Sequence, residues 1–372
     1  MLEFDIVPAE RRPAAERAAL LVDPGFGRVF TDHMVTIRYA EGEGWHDARL
    51  VPFGPLSLSP ATAALHYSQE LFEGLKAYAL PDESGEVGSG RGRGGVGLFR
   101  PDANARRLNA TAERLAMPQL PEELFLKAVR TLVEADRDWV PAGEGQSLYI
   151  RPFMIATDPF LGVRPSSEYL FAVIASPSGA YFSGGAKPVT VWISQDYSRA
   201  APGGTGHVKA AANYAVSLRA QAQAQDAGCD QTVFLDAVEH RWIEESGSMN
   251  LFFVYGSPDA PVLVTPPLNG SILPGVTRDS VITLARHRGW TVHERPYSVD
   301  EWSADATGGE LLETFACGTG VVITSIGRAR SRDGEFEIGG AAEGPVTASI
   351  RDALVGIQRG RAEDPFGWSV RA

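Results

Sequence analysis

Short apolar or alternating runs, separated by turn residues, alternate along this chain with stretches of helical period. The runs predict strands over 34–39, 96–99, 147–155, 169–175 and 189–194. Between them Leu108, Ala112 and Leu115 recur at helical spacing, predicting a helix over 103–116 with Asp102 as its N-cap. Leu124, Ala128, Val129 and Leu132 share one face of a second helix over 122–133. The second half continues the mixture. A helix is expected from Lys209 to about Asp226, then strands over 231–237, 251–255 and 261–265. A helix follows Gly275 and ends near Arg288, and strands over 310–315 and 321–326 lead to a last helix over 346–358.

Where the periodicity stops, the organisation shows. The first 30 residues are rich in Pro, Arg and Gly and predict an arm leading into the fold. The segment 82–97 is rich in Gly, Ser, Glu and Arg, as a flexible surface loop would be. Residues 176–188 hold Gly, Ser, Pro and Tyr181-Phe182 without a strong period. They predict a linker between two α/β halves, a smaller domain over 1–175 and a larger one over 189–372. No internal repeat is evident.

Composition narrows the function classes. At 372 residues, 44% hydrophobic and 22% charged, the chain has the makeup of a soluble globular protein with room for a buried site. A net charge of −12 argues against a nucleic-acid or anionic-membrane binder. Cys229 and Cys317 are too few for a disulfide framework, and the seven histidines show no paired ligand spacing, so no metal site is expected. His66 and His207 are expected to be hydrogen-bonded structural residues. No signal peptide and no apolar run of membrane-spanning length is apparent, which makes a cytoplasmic protein the expectation.

Two glycine-rich segments imitate nucleotide motifs. Gly92-Arg93-Gly94-Gly95-Val96-Gly97 matches the dinucleotide fingerprint, yet it follows a polar loop and leads into a strand rather than a helix. Gly203-Gly204-Thr205-Gly206-His207-Val208-Lys209 resembles a phosphate loop, but Val208 stands where glycine must precede the lysine, and Ala210 where Ser or Thr should hold a metal. What remains of the second segment is one lysine after a glycine-rich loop. An amine held out of water loses part of its preference for the charged form and becomes a nucleophile towards aldehydes, so Lys209 is a candidate Schiff-base lysine.

A phosphorylated aldehyde cofactor has further needs. Its phosphate requires N–H donors at a helix start and a forked cation. Leu273-Pro274-Gly275-Val276-Thr277-Arg278 supplies a glycine turn entering a helix, Gly318-Thr319-Gly320 a second small-residue turn, and Arg107 a guanidinium on an amphipathic helix. A pyridinium nitrogen needs a carboxylate. Glu244 and Glu245 both offer one, and alternation along extended chain aims only one of them at the ring. Tyr214, five positions after Lys209, is a candidate phenol for the ring oxygen.

Taken in order, these segments resemble the branched-chain amino acid aminotransferases, pyridoxal-phosphate enzymes of fold type IV. The likeness rests on Gly203–Lys209 with Asn213-Tyr214, Glu245-Ser246-Gly247-Ser248-Met249-Asn250, Leu273–Arg278 and Ala316-Cys317-Gly318-Thr319. The N-terminal half agrees through Phe30-Thr31-Asp32-His33-Met34, the run from Leu65 to Tyr78, and Leu148-Tyr149-Ile150-Arg151-Pro152-Phe153. It spans roughly Gly25 to Gly360. The resemblance implies a two-domain α/β (mixed α+β) fold with pyridoxal 5'-phosphate at the domain interface, and a homodimer whose pocket borrows residues from the partner subunit.

By position, the resemblance makes Lys209 the Schiff-base lysine and proton shuttle. It assigns the phosphate to Arg107, Val276, Thr277 and Thr319, the ring oxygen to Tyr214, and the pyridine nitrogen to Glu245 rather than Glu244. Ser248 stands where the family often has threonine and keeps the hydroxyl. The substrate pocket would be formed by Phe26, Tyr67, Phe72, Tyr149, Tyr181 and Gly320, with Arg151 for the acceptor's second carboxylate. Val321-Val322-Ile323-Thr324 stands where the animal enzymes carry a Cys-x-x-Cys pair, so a thiol switch there is not expected. The implied reaction is reversible amino transfer between L-leucine, L-isoleucine or L-valine and 2-oxoglutarate. A D-amino acid aminotransferase or a chorismate-derived lyase would share the fold and the lysine. The aromatic series of the N-terminal half and Tyr149-x-Arg151 argue against both.

Overall fold

The computed structural model describes residues 2–82, 84–85, 87, 94–179 and 187–372. The chain divides into two units, one comprising Met1–Tyr181, Lys209–Ala211 and Gly356–Ala372, the other Phe182–Val208 and Ala212–Val355. In chain order the first unit contributes β1 (Asp5–Ile6), α1 (Ala14–Val22), β2 (His33–Ala40), β3 (Gly44–Pro52), α2 (Ala63–Tyr67), β4 (Glu70–Phe72), β5 (Leu75–Ala79) and β6 (Val96–Phe99). Then come α3 (Pro101–Arg114), α4 (Glu122–Ala135), β7 (Ser147–Ala156) and β8 (Glu168–Ser178). The second unit contributes β9 (Val189–Ser194), α5 (Ala212–Ala215), α6 (Leu218–Asp226), β10 (Gln231–Leu235), β11 (Ile243–Ser246), β12 (Met249–Ser257) and β13 (Ala260–Thr265). It continues with α7 (Val276–His287), β14 (Thr291–Glu294), α8 (Val299–Gly308), β15 (Glu313–Gly318), β16 (Val322–Ser331) and β17 (Gly334–Glu337). The last helix is α9 (Pro345–Gln358), and the chain ends on β18 (Ser369–Arg371).

Among the described residues the first unit holds one sheet in the order β1-β3-β2-β8-β7-β5-β6-β18, with β4 on β7. All its pairs are antiparallel except β1 with β3. The apolar stripe of α4 (Leu124, Phe125, Val129, Leu132) and Leu108 of α3 are buried in one core with Val35, Ile37, Phe171 and Val173 of the strands. Each such fully buried side chain stabilises the fold by roughly 1.5–3 kcal/mol, which lets the sheet dictate where the rest of the unit sits.

The second unit is a mixed sheet in the order β11-β10-β9-β16-β15-β12-β13-β14. Its centre is apolar on both faces: Leu251, Phe252, Phe253 and Val254 of β12 are all inaccessible to water, with Phe252 stacked on Phe315 at 5.0 Å. That is why the sequence reads there as a continuous apolar run instead of an alternation. The register places Glu245 opposite Asn250 and Asn250 opposite Cys317, so Glu245 and the turn after β15 lie at one level of the sheet.

Most of the expected elements are present, some of them longer. Four expectations are corrected. The helix expected over 103–116 starts at Pro101, whose fixed φ suits a first helical turn, so Asp102 lies inside the helix and pairs with Arg106 instead of capping. The helix expected from Lys209 begins only at α5. Residues 209–211 stay outside the helix because β4 takes their hydrogen bonds: Phe72 N–H donates to the Lys209 carbonyl and Ala211 N–H to that of Glu70. The expected linker 176–188 starts inside β8, since Ser178 still pairs with Ser147. Finally, 189–372 does not stay in one unit, because β18 adds antiparallel to β6 of the first sheet.

Candidate active site

Lys209 is reached from β4 and α3. Its carbonyl accepts from Phe72, its own N–H donates to Thr111 Oγ1 at 3.0 Å, and its Nζ lies 4.8 Å from the Phe72 ring centre. The residue is 9% exposed. Burial brings the amine down to about 8. The positive charges of Arg107 and Arg151 push the same way, and Glu73 and Tyr149 oppose them. At neutral pH a usable minority of the amine is therefore uncharged.

Around it the first unit gathers several of the residues named from the sequence. Tyr149 and Arg151, two apart on β7, point to one face, and Arg151 Nη2 donates to the Tyr149 hydroxyl at 3.0 Å. The Arg151 guanidinium stands 4.6 Å from the Phe72 ring centre, and Phe26 meets Tyr149 edge-on at 5.0 Å. Gly74 is required for this packing, because a Cβ there would collide with the Tyr149 hydroxyl. Arg107 projects from α3 onto Glu73, donating to both carboxylate oxygens at 2.8 and 2.9 Å. Glu73 is wholly buried and also accepts from Asn104. Burial raises its carboxyl, but the charge and hydrogen bonds of Arg107 prevail and hold it below the usual range. Thr111, Glu73, Asn104 and Gly74 were not singled out from sequence. Their partners lie tens of residues away, and no local pattern signals them.

The second unit holds the other group. Asn213 pins the glycine-rich loop, donating to the carbonyls of Thr205 and Val208 and accepting from the Thr205 hydroxyl. Tyr214 follows it, half-buried on α5. Glu245 is 1% exposed on β11, and its Oε1 accepts the Leu273 N–H. Arg199 Nη2 lies 3.3 Å from the same oxygen. Asn250 Nδ2 donates to the Leu273 carbonyl, and a Cβ on Gly275 would collide with Asn250 Oδ1, so the entry to α7 is held tight against β12. Val276 and Thr277 open α7, with Thr277 buried. Thr319 and Gly320 form the half-buried turn between β15 and β16, where Val322 takes a left-handed φ of 62°. Ser248 is exposed in the β11–β12 turn.

The remaining sequence expectations are placed as follows. Tyr67 is 42% exposed at the end of α2, its hydroxyl bonded to the Leu161 carbonyl at 2.5 Å. Tyr181 lies outside the described residues, as do Gly92 and Arg93 of the dinucleotide-like segment. His66 and His207 each face a backbone carbonyl, of Pro60 and Gly270. Among the described residues no helix is long and apolar enough to cross a membrane.

Residues 70–329 match the family Amino-transferase class IV. The chain is 53% identical over 373 residues to the branched-chain-amino-acid aminotransferase of Mycolicibacterium smegmatis, covering all of this chain and 98% of that one. It is 55% identical over 355 residues to the probable branched-chain-amino-acid aminotransferase of Streptomyces coelicolor, covering 95% and 94%. Among solved structures, the branched-chain amino acid aminotransferase of Escherichia coli superposes with a TM-score of 0.71 at 28% identity, covering 90% of this chain and 98% of that one. The branched-chain aminotransferase of the archaeon Thermoproteus uzoniensis, solved with norvaline, superposes with a TM-score of 0.72 at 26% identity, covering 91% and 99%.

Proposed function

We infer the reaction of this chain from its kinship: it belongs to the class IV amino-transferases and, among them, to the branched-chain-amino-acid aminotransferases. The proposed cofactor is pyridoxal 5'-phosphate. The residues present suit it: a buried amine near neutrality, a buried carboxylate, and a helix start with a buried hydroxyl behind a tight glycine turn. When bound, the group supplies an aldehyde that captures amines and a cationic ring that takes up the electron pair left at the substrate Cα.

Each residue then has a proposed task. Lys209 would hold the cofactor's aldehyde carbon through its Nζ and, as a free amine, would move the proton between the substrate Cα and the cofactor. Arg107, the Val276 and Thr277 N–H groups, the Thr277 hydroxyl and Thr319 bind the phosphate. Tyr214 donates to the ring oxygen, Ser248 adds a hydroxyl, and Glu245 faces the pyridine nitrogen. Phe26, Phe72, Tyr149, Tyr67, Tyr181 and Gly320 line the substrate side, excluding water from an aliphatic side chain. Arg151, whose guanidinium lies near both the Phe72 and the Tyr149 rings, meets the second carboxylate of 2-oxoglutarate. Amino donors are L-leucine, L-isoleucine and L-valine, and the two half-reactions alternate in ping-pong order. A homodimer is proposed, supported by the exposed Leu65, Tyr67, Leu161 and Val163 of the first unit, and a cytoplasmic location.

The observation that carries this reading is Lys209, buried among Phe72, Tyr149 and Arg151 with its amine lowered to about 8. The test is the absorption spectrum of the purified protein before and after L-leucine, without any 2-oxo acid. A near-visible band that leucine converts and D-alanine does not is the expected result. A band that ignores leucine moves the activity to another fold-type-IV chemistry, and no band after adding pyridoxal phosphate sinks the cofactor reading.

A further inference from the structure

We propose that Arg199 is a positioning residue that holds Glu245 ionised, so that the proton shared with the cofactor's pyridine nitrogen rests on the nitrogen. The inference depends on the assignment of Glu245 to that nitrogen made above.

Glu244 and Glu245 are adjacent on β11, point to opposite faces, and are 3% and 1% exposed. Arg199 is itself buried, and its Nη2 lies 3.3 Å from Glu245 Oε1. The same Nη2 donates to the Ser271 carbonyl at 2.5 Å and the Gly206 carbonyl at 3.1 Å. Two loops thus fix the guanidinium beside one oxygen of Glu245, the oxygen that also accepts the Leu273 N–H. The neighbouring buried guanidinium, Arg278, is committed to the Pro266 carbonyl and Glu294.

One fixed cation can balance one carboxylate. Glu244 has the weaker claim on it: its Oε2 is buried without a hydrogen-bond partner, and burial lifts its carboxyl above the usual range despite the pull of Arg199 and Asn269. Glu245 is the carboxylate that Arg199 reaches at 3.3 Å, while Glu244 lies on the other face of β11. The consequence at the ring is a choice between two arrangements of the same protons. With Glu245 ionised, a protonated nitrogen donates to a carboxylate. With Glu245 neutral, its O–H donates to an unprotonated nitrogen, and the ring is a poorer electron sink. Arg199 selects the first arrangement.

The test uses holoenzymes loaded with pyridoxal phosphate labelled with 15N in the ring, reading the nitrogen shift and the cofactor dissociation constant. In R199Q the signal should move from the pyridinium to the neutral-pyridine position and binding should weaken about tenfold. R199K, which keeps the charge, should retain the pyridinium signal. The double variant R199Q/E245Q should bind no more weakly than E245Q. A pyridinium signal that persists in R199Q overturns the proposal. E244Q decides independently of whether R199Q folds: a carboxylate on the other face of β11 should leave both readings unchanged when replaced, and a moved signal overturns the pairing of Arg199 with Glu245. If E245Q itself leaves the signal unmoved, the assignment of Glu245 fails instead.

Discussion

Lys209 shows how much one burial changes. Its amine sits at about 8 in the fold, against an ordinary value of 10.5 in the unfolded chain. Below about 8 both states are protonated and the fold bears the cost of a buried charge. As pH rises from 8 to 10.5 the unfolded chain holds more protons, and the cost is relieved. Without cofactor, Lys209→Met should therefore be more stable than the parent at pH 7 by about 3 kcal/mol at most, the gap closing towards pH 10.5. Denaturant titrations across that range check it, and a pH-independent gap would contradict it. Lys76, also brought to about 8 by burial and Arg359, is present in both proteins and cancels. Recapture of pyridoxal phosphate by the cofactor-free enzyme should accelerate with pH, reaching half its limit near 8. At the same scale, Glu245→Ala should lower kcat/KM by roughly a hundredfold or more, far beyond Glu244→Ala. Equal losses would mean that the other face of β11 carries the nitrogen partner.

At the scale of elements, the sequence disclosed types better than ends. Periodicity located α3, α4 and the central strands, because their apolar positions answer to one core. It misplaced the start of α3 because Pro101 begins a helix that an Asp at 102 seemed to cap. It carried a helix back to Lys209 because Ala210, Ala211 and Ala212 are strong helix formers, whereas β4 claims that backbone by pairing across more than a hundred positions. The site followed the same rule. Lys209 and the α7 turn announce themselves locally, but Glu73 beneath Arg107 and Thr111 beneath Lys209 are tertiary facts. The choice of Glu245 over Glu244 needed the family resemblance. Gly74→Ala tests the tightest of these contacts. It should push the Tyr149 hydroxyl off its place, raising KM for 2-oxoglutarate by about tenfold with a smaller change for leucine. Equal changes for both substrates would detach the Tyr149 hydroxyl from the placement of Arg151.

At the scale of the molecule, cofactor binding and folding are linked. Saturating pyridoxal phosphate at a hundredfold excess over Kd should stabilise the protein by about 2.7 kcal/mol, visible as a higher Tm. The C-terminal segment does comparable structural work without touching the chemistry. Arg100 N–H donates to the Trp368 carbonyl at 2.8 Å, Trp368 packs edge-on against Phe99, and Arg359 donates to the carbonyls of Gly143 and Gln146. A chain ending at Ala362 should lose about 5 °C or more in Tm. An unchanged Tm would show that β18 is an ornament of the sheet.

That returning strand also sets a timetable for biosynthesis. β6 is completed when residue 99 leaves the ribosome, yet its partner emerges some 270 residues later, roughly 15–50 seconds at ordinary translation rates. For that interval a finished strand presents an open edge to every other nascent chain. A circular permutant that carries 356–372 ahead of residue 2 would deliver β18 before β6 and abolish the wait. Its soluble yield in cells depleted of chaperones should exceed that of the natural order.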